Sequence, residues 1–185
     1  MKESSSTFIQ WYLDDDYLET PIENHQETLL DFIRLQQGNA SIKEGCAEGD
    51  CGACMVLVGQ MQEDKLVYQA TNSCIKFSAT CHKKVVYTPK YLSKNSSNLH
   101  PVQQALVECH GSQCGFCTPG FVISLLAAYL NVQKEDLSQE DVIEAISGNL
   151  CRCTGYRPII EAGLMMKHIN TAHDFNMEGA FSPSK

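Results

Sequence analysis

Apolar and polar positions change rhythm once along the 185 residues of the chain. In the first half the apolar residues come in short stretches: Thr7 to Leu13, Met55-Val56-Leu57-Val58, Leu66-Val67-Tyr68 and Val85-Val86-Tyr87. Runs of this length, rich in β-branched and aromatic residues, predict strands, and Asp14-Asp15-Asp16 predicts a turn after the first. One helical stretch interrupts them, from about Glu27 to Gln37, with Leu29, Leu30 and Ile33 on one side and Gly38 as its stop. A mixed sheet packed against a helix is the economical way to bury both patterns.

The rhythm changes at Leu92-Ser93-Lys94-Asn95-Ser96-Ser97-Asn98, whose small polar residues read as a linker and domain boundary. Beyond it the pattern is helical. A helix is expected near His100-Pro101-Val102. A second follows Thr118-Pro119, an N-cap with proline at the first position, and carries the apolar run to Leu130. Ser138-Gln139-Glu140-Asp141 resembles a capping box, with Gly148 as that helix's stop. Pro158 opens a fourth helix bearing Ile159, Ile160, Leu164 and Met165, and residues 171–185 read as a flexible tail. The expected fold class is α+β: a domain over 7–91, a linker over 92–98, and an all-α four-helix domain over 99–170.

Composition narrows the partners. At 43% apolar the chain can build one ordinary core or two small ones. A net charge of −8 with a pI near 5.2 argues against nucleic acid or an anionic membrane, both of which demand basic patches. The longest apolar run, Phe121 to Leu130, is about half of what a membrane span requires, so it predicts a buried helix. Met1 to Ser6 is polar and no signal-peptide run follows, so a cytoplasmic, reducing setting is expected.

That setting changes the meaning of ten cysteines, which in an oxidising compartment would read as disulfides. Cys46, Cys51 and Cys54, with a distant fourth, follow the Cys-x4-Cys-x2-Cys…Cys spacing of a plant-type [2Fe-2S] site. Structural zinc typically uses two similar knuckles of paired cysteines instead. Gly45, Gly49 and Gly52 separate the ligands and allow a tight loop with amide N–H groups turned toward sulfur. Cys74 and Cys81 compete for the fourth position, and spacing favours neither.

A second block holds Cys114-Gly115-Phe116-Cys117 and Cys151-Arg152-Cys153. Each pair precedes a predicted helix start, where the positive end of the helix stabilises an anionic thiolate cluster. Cys109 to Cys117 is itself a Cys-x4-Cys-x2-Cys, so five cysteines compete for four places, with Cys109 otherwise a buried small hydrophobe.

Three long motifs, Ser41 to Cys54, His110 to Phe121 and Gly148 to Ile159, closely resemble the iron–sulfur portion of xanthine dehydrogenases and other molybdenum hydroxylases. The resemblance covers roughly residues 7–170. It implies a β-grasp ferredoxin-like domain followed by a four-helix domain, each holding one [2Fe-2S] cluster. It implies Cys46, Cys51, Cys54 and Cys74 as ligands of the first, and Cys114, Cys117, Cys151 and Cys153 as ligands of the second. It sets Cys81 and Cys109 aside. It further implies an electron relay from a molybdopterin centre in a partner subunit, through the helical-domain cluster and then the ferredoxin-like one, to FAD and NAD. Gln113 matches a family residue that approaches the pterin.

The chain stops at Lys185, short of the FAD domain that continues many small subunits of this type, and shows no nucleotide-binding glycine loop. Either FAD is expected on a separate subunit or domain, or this is an isolated or truncated segment. Lys43 to Asp50 carries the particular likeness to xanthine dehydrogenases; aldehyde, carbon monoxide and N-heterocycle oxidoreductases share the cysteine frame and form the alternative. A structural zinc-binding adaptor is the reading from a different class. His82, His100 and His110 are expected at surface or capping positions, because eight thiolates suffice without a Rieske-type histidine pair. Arg152 and Arg157 flank the second block and are read as tuning or docking charges, or as ordinary ion pairs.

Overall fold

The computed structural model describes residues 8–22, 24–63, 65–93, 99–131 and 137–166. The predicted tail over 171–185 and most of the predicted linker lie outside the described residues.

Five strands form one mixed sheet: β1 (Phe8–Leu13), β2 (Asp16–Pro21), β3 (Met55–Gln62), β4 (Lys65–Asn72) and β5 (Val85–Tyr87), in the order β2-β1-β5-β3-β4. The β1–β5 pair is parallel and the other pairs are antiparallel. Alternation sets the faces. On β1, Ile9, Trp11 and Leu13 are buried, whereas Phe8 and Gln10 are exposed. The central strands β3 and β5 are covered on both sides, which is why Met55 to Val58 and Val85 to Tyr87 are uniformly apolar.

Val56, Val58 and Val86 face the first helix, in a core with Trp11, Leu29, Phe32 and Ile33. The rings of Trp11 and Phe32 lie 5.3 Å apart at a tilt, an arrangement worth about 1 kcal/mol beyond its buried area. Met55, Leu57, Val85 and Tyr87 face the opposite way and join the helices after residue 100 in a second core. The sheet is thus the wall shared by two cores.

The first helix departs from its predicted bounds. It runs as α1 (Leu29–Asp31) and continues as a π-helix over Phe32–Gln36, with Gln37 N–H donating to the Phe32 carbonyl at 3.1 Å. Thr28 caps it by accepting from Asp31 N–H, and Gly38 follows it with φ of +64°. Leu29, Leu30, Phe32 and Ile33 all face inward. The sequence pattern also overlooked β2. Its residues, Asp-Tyr-Leu-Glu-Thr-Pro, are mostly exposed, and an edge strand carries no strong apolar period. Asp14 and Asp15 make the predicted turn, but Asp16 already belongs to β2.

After residue 100 come α2 (Pro101–Glu108), α3 (Thr118–Asn131), α4 (Gln139–Ile146) and α5 (Arg157–Met165). His100 caps α2, its Nδ1 accepting from Val102 N–H at 3.2 Å, with Gln103 completing a capping box. Ser138 and Asp141 form the equivalent box on α4. The long apolar run of α3 is buried almost all round, lying against β3 and β4 on one side and the other helices elsewhere. No described helix is long and apolar enough to cross a membrane.

Candidate metal centres

All ten cysteines are free thiols. The structure gathers eight of them into two groups, and within each group the thiols meet in pairs. In the loop before β3, Cys46 pairs with Cys51, while Cys54 at the loop's end pairs with Cys74, which follows β4. The second group joins two loops: Cys114 lies 3.6 Å from Cys153, sulfur to sulfur, and Cys117 pairs with Cys151.

Pairing discriminates between metals. A tetrahedral zinc ion with Zn–S bonds of about 2.3 Å would bring all four sulfurs to about 3.8 Å from one another. A two-iron cluster takes two thiolates on each iron, so two adjacent pairs are the arrangement its donor set requires. The residues present fit a [2Fe-2S] group at both places.

Local chemistry favours the thiolate at Cys46 and Cys151 and opposes it at Cys74, Cys117 and Cys153. The Glu48 N–H donates to the Cys46 sulfur at 3.5 Å, and this amide, with the Cys51 thiol, draws the Cys46 pKa down to about 7. Burial and the adjoining Cys54 thiol push Cys74 up to about 12. Burial and the Cys151 thiol do the same to Cys117. Burial opposes charge on Cys151 as well, but the Thr154 hydroxyl at 3.2 Å and amide at 3.5 Å outweigh it and hold this thiol below its usual range. The Cys114 thiol raises that of Cys153. In the Cys117–Cys151 pair the two shifts are opposed, as expected of two like groups competing for one charge, a conflict that an iron between them would remove.

Backbone geometry makes room for the sulfurs. Gly45 runs so close to Cys51 that a Cβ there would lie 2.9 Å from its sulfur. Gly52, at φ of +70°, is wedged against the Gly148 carbonyl and Asn149. In the second group Cys117 supplies the carbonyl that opens α3, accepting from the N–H groups of Gly120 and Phe121. Thr118 is thus already helical rather than a cap. Cys151 N–H donates to the Tyr156 hydroxyl at 2.9 Å, which ties that ligand loop to the residue capping α5.

The two remaining cysteines lie elsewhere. Cys81 is fully buried in the core under α1, with Lys76 and Lys84 nearby, and burial raises its thiol to about 11. Cys109 ends α2 beside Glu108 and Glu161, where burial raises its thiol too. Gln113 is exposed next to Cys114. Neither His82 nor His100 joins a thiol group; each accepts a backbone N–H through Nδ1. Arg157 pairs with Glu161 on the exposed face of α5 at 2.9 Å.

One set of residues escaped the reading of the sequence. Asn149, Ser124, Gly120 and Met55 join the two thiol groups, and a lone serine inside the apolar run of α3 was the available signal.

Comparison with known proteins agrees with this geometry. The 2Fe-2S iron–sulfur cluster binding domain family matches residues 12–86, and the [2Fe-2S] binding domain family matches residues 88–164. Xanthine dehydrogenase from Blastobotrys adeninivorans is 47% identical over 137 residues, covering 73% of this chain. The xanthine dehydrogenase/oxidase of Gallus gallus is 41% identical over 138 residues, or 74% of the chain. The chain spans about 10% of the length of these curated relatives. Among solved structures, quinoline 2-oxidoreductase from Pseudomonas putida 86 superposes with a TM-score of 0.75 at 27% identity, covering 89% of this chain and 96% of that one.

Proposed function

We infer, from the premise that this chain belongs to the xanthine dehydrogenase family of molybdenum hydroxylases as its iron–sulfur segment, that it carries electrons between two redox centres held elsewhere in a larger oxidoreductase. The carrying observation is the presence of two thiol groups, each arranged as two pairs, in contact through their ligand loops. The two domains each hold one [2Fe-2S] cluster. We assign Cys46, Cys51, Cys54 and Cys74 to the first and Cys114, Cys117, Cys151 and Cys153 to the second. Bound there, each cluster supplies a one-electron acceptor and donor.

The chain's own residues bind and tune. Thiolates hold the iron, the Glu48 and Thr154 amides stabilise sulfur charge, and the start of α3 directs its positive end toward Cys117. We assign residues 7–91 to a β-grasp ferredoxin-like domain, 92–98 to a linker, 99–170 to a four-helix domain and 171–185 to a tail. Two successive family matches, over 12–86 and 88–164, support a division into two domains.

Molybdopterin on a partner subunit or domain is the proposed source of electrons, with FAD and then NAD as the destination. Relatives about ten times longer than their matched segment support the existence of such further parts. Exposed Cys114 and Cys153 make the helical site the natural entry, and Gln113 beside it is proposed to approach the pterin. A groove of about 570 Å³ lined by Ser112, Gly115 and Thr118 opens on the same loop. A purine such as xanthine is the proposed substrate of the whole assembly, on the identity to xanthine dehydrogenases; an aldehyde or N-heterocycle is the alternative, which the quinoline and aldehyde oxidoreductase structures favour. A cytoplasmic setting is proposed as well, and ten free thiols are compatible with it.

Iron and acid-labile sulfide content of the anaerobically purified chain, with electron paramagnetic resonance after reduction, tests this reading. About four irons and two distinguishable signals are expected. Zinc with no signal would overturn it.

A further inference from the structure

The two ligand loops meet backbone to backbone. Leu150 N–H donates to the Cys51 carbonyl at 2.9 Å, so a single hydrogen bond links the residue before Cys151 to a cysteine of the other group. The neighbouring peptide is held from both sides. Asn149, 3% exposed, donates from Nδ2 to the Gly52 carbonyl at 3.2 Å, and its Oδ1 accepts from the Ser124 hydroxyl at 2.7 Å. The Met55 sulfur completes the pocket, 2.7 Å from Ser124 Oγ and 3.6 Å from Asn149 Nδ2. Gly120 on α3 approaches so closely that a Cβ would strike the Gly52 carbonyl.

Nothing in ligand binding requires this arrangement. The hydrogen bonds of Asn149 go to Ser124, Gly52 and Met55 and not to a thiol, and a buried amide is retained only where its hydrogen bonds are satisfied. Here they join three segments: the first ligand loop, the second ligand loop, and α3, which grows out of Cys117. We propose that Asn149 is a positioning residue for electron transfer between the two centres: anchored on Ser124, it holds Gly52 so that the Cys51 carbonyl stays on Leu150 N–H.

The inference rests on the two-cluster reading above. When one electron crosses, one centre is oxidised and the other reduced by that same electron, and no bond or proton moves. The protein's contribution is a short covalent path, Cys51 sulfur to its carbonyl and Leu150 nitrogen to the Cys151 sulfur, closed by one hydrogen bond instead of a gap. Loosening the latch leaves all eight thiols in place but separates the loops.

The test uses the full chain loaded with iron and sulfide. Two readouts are compared in the parent chain, Asn149→Ala, Asn149→Asp and Ser124→Ala: the spin–spin splitting of the fully reduced centres, and hydrogen exchange of the Leu150 amide. In Asn149→Ala the splitting is expected to fall at least twofold and the amide to exchange at least tenfold faster, with parent iron content. Asn149→Asp keeps the acceptor but loses the donor to Gly52, and is expected to resemble the alanine variant. Ser124→Ala removes only the anchor, should produce a smaller change of the same sign, and decides the matter if Asn149→Ala fails to load iron. Unchanged splitting and protection in Ser124→Ala and in whichever Asn149 variants load iron would overturn the positioning role. A parent chain that binds no iron would instead overturn the two-cluster reading.

Discussion

In the sheet region three cysteines come from one continuous loop and the fourth from beyond β4, whereas in the helical region two separate loops contribute two cysteines each. The first site is the more covered: Cys54 and Cys74 are 2% and 6% exposed, and Cys46 and Cys51 are half-buried. The second is open, with Cys114 and Cys153 at the surface. Backbone strain is distributed differently as well. Ala47, Gly49 and Gly52 all take positive φ within the first loop, while the second site uses Gly115, Gly155 and the non-glycine Tyr156 around more regular helix starts. One site is thus built by bending a loop around its ligands, the other by bringing rigid helix ends together. Loop geometry should govern the robustness of the first, and solvent access that of the second.

The largest effects come from emptying one site at a time. Cys74→Ser is expected to remove about two of about four irons and abolish one reduced-state signal, leaving the helical site intact. Cys153→Ser should do the reverse. Cys81→Ser and Cys109→Ser should retain both, since neither thiol joins a pair; metal analysis with electron paramagnetic resonance reads all four variants.

The junction between the regions comes next. Gly120→Ala places a methyl against the Gly52 carbonyl, so backbone must move, and a loss of about 2–4 kcal/mol in denaturant unfolding is expected. Gly115→Ala, with open space around it but φ of +81°, should cost only about 1 kcal/mol. Equal costs would mean that the close approach between regions is absent in solution.

Exposure predicts a difference in lability. Under a chelator at neutral pH the helical site should lose iron several-fold faster than the sheet site, followed by the decay of each reduced signal. Similar rates would show that the sheet-region loop opens as readily as the helical site is exposed.

The smallest effect compares two caps. Ser138→Ala on α4 and Thr28→Ala on α1 should each cost about 1 kcal/mol, measured by chemical denaturation, with no change in iron content.

Parts of this organisation were readable along the chain because their physics is local. Strand β5 and the cores of β3 and β4 showed as apolar runs, and the Ser138 box and the prolines at Pro101 and Pro158 announced helix starts within a few residues. The cysteines stood out by spacing alone, since a loop around a cluster must return its ligands at short fixed intervals. Strand β2 was not readable: Asp16–Pro21 has no apolar face to bury and is a strand only because β1 offers it hydrogen-bond partners. The π turn over Phe32–Gln36 was likewise invisible, being fixed by what the sheet presents to Phe32 and Ile33.

The class of chemistry follows from the order of residues alone, because thiol spacing and glycine placement are covalent facts that hold in any fold. Which thiol meets which was decided only by the tertiary structure. Cys54 finds Cys74 across β3 and β4, and Cys114 finds Cys153 across α3 and α4. The same holds for the latch of Asn149, Ser124 and Gly52, whose members are far apart in the chain. Hydrogen bonds and close packing act over a few ångströms of space and carry no period along the sequence, so only the folded chain brings them together.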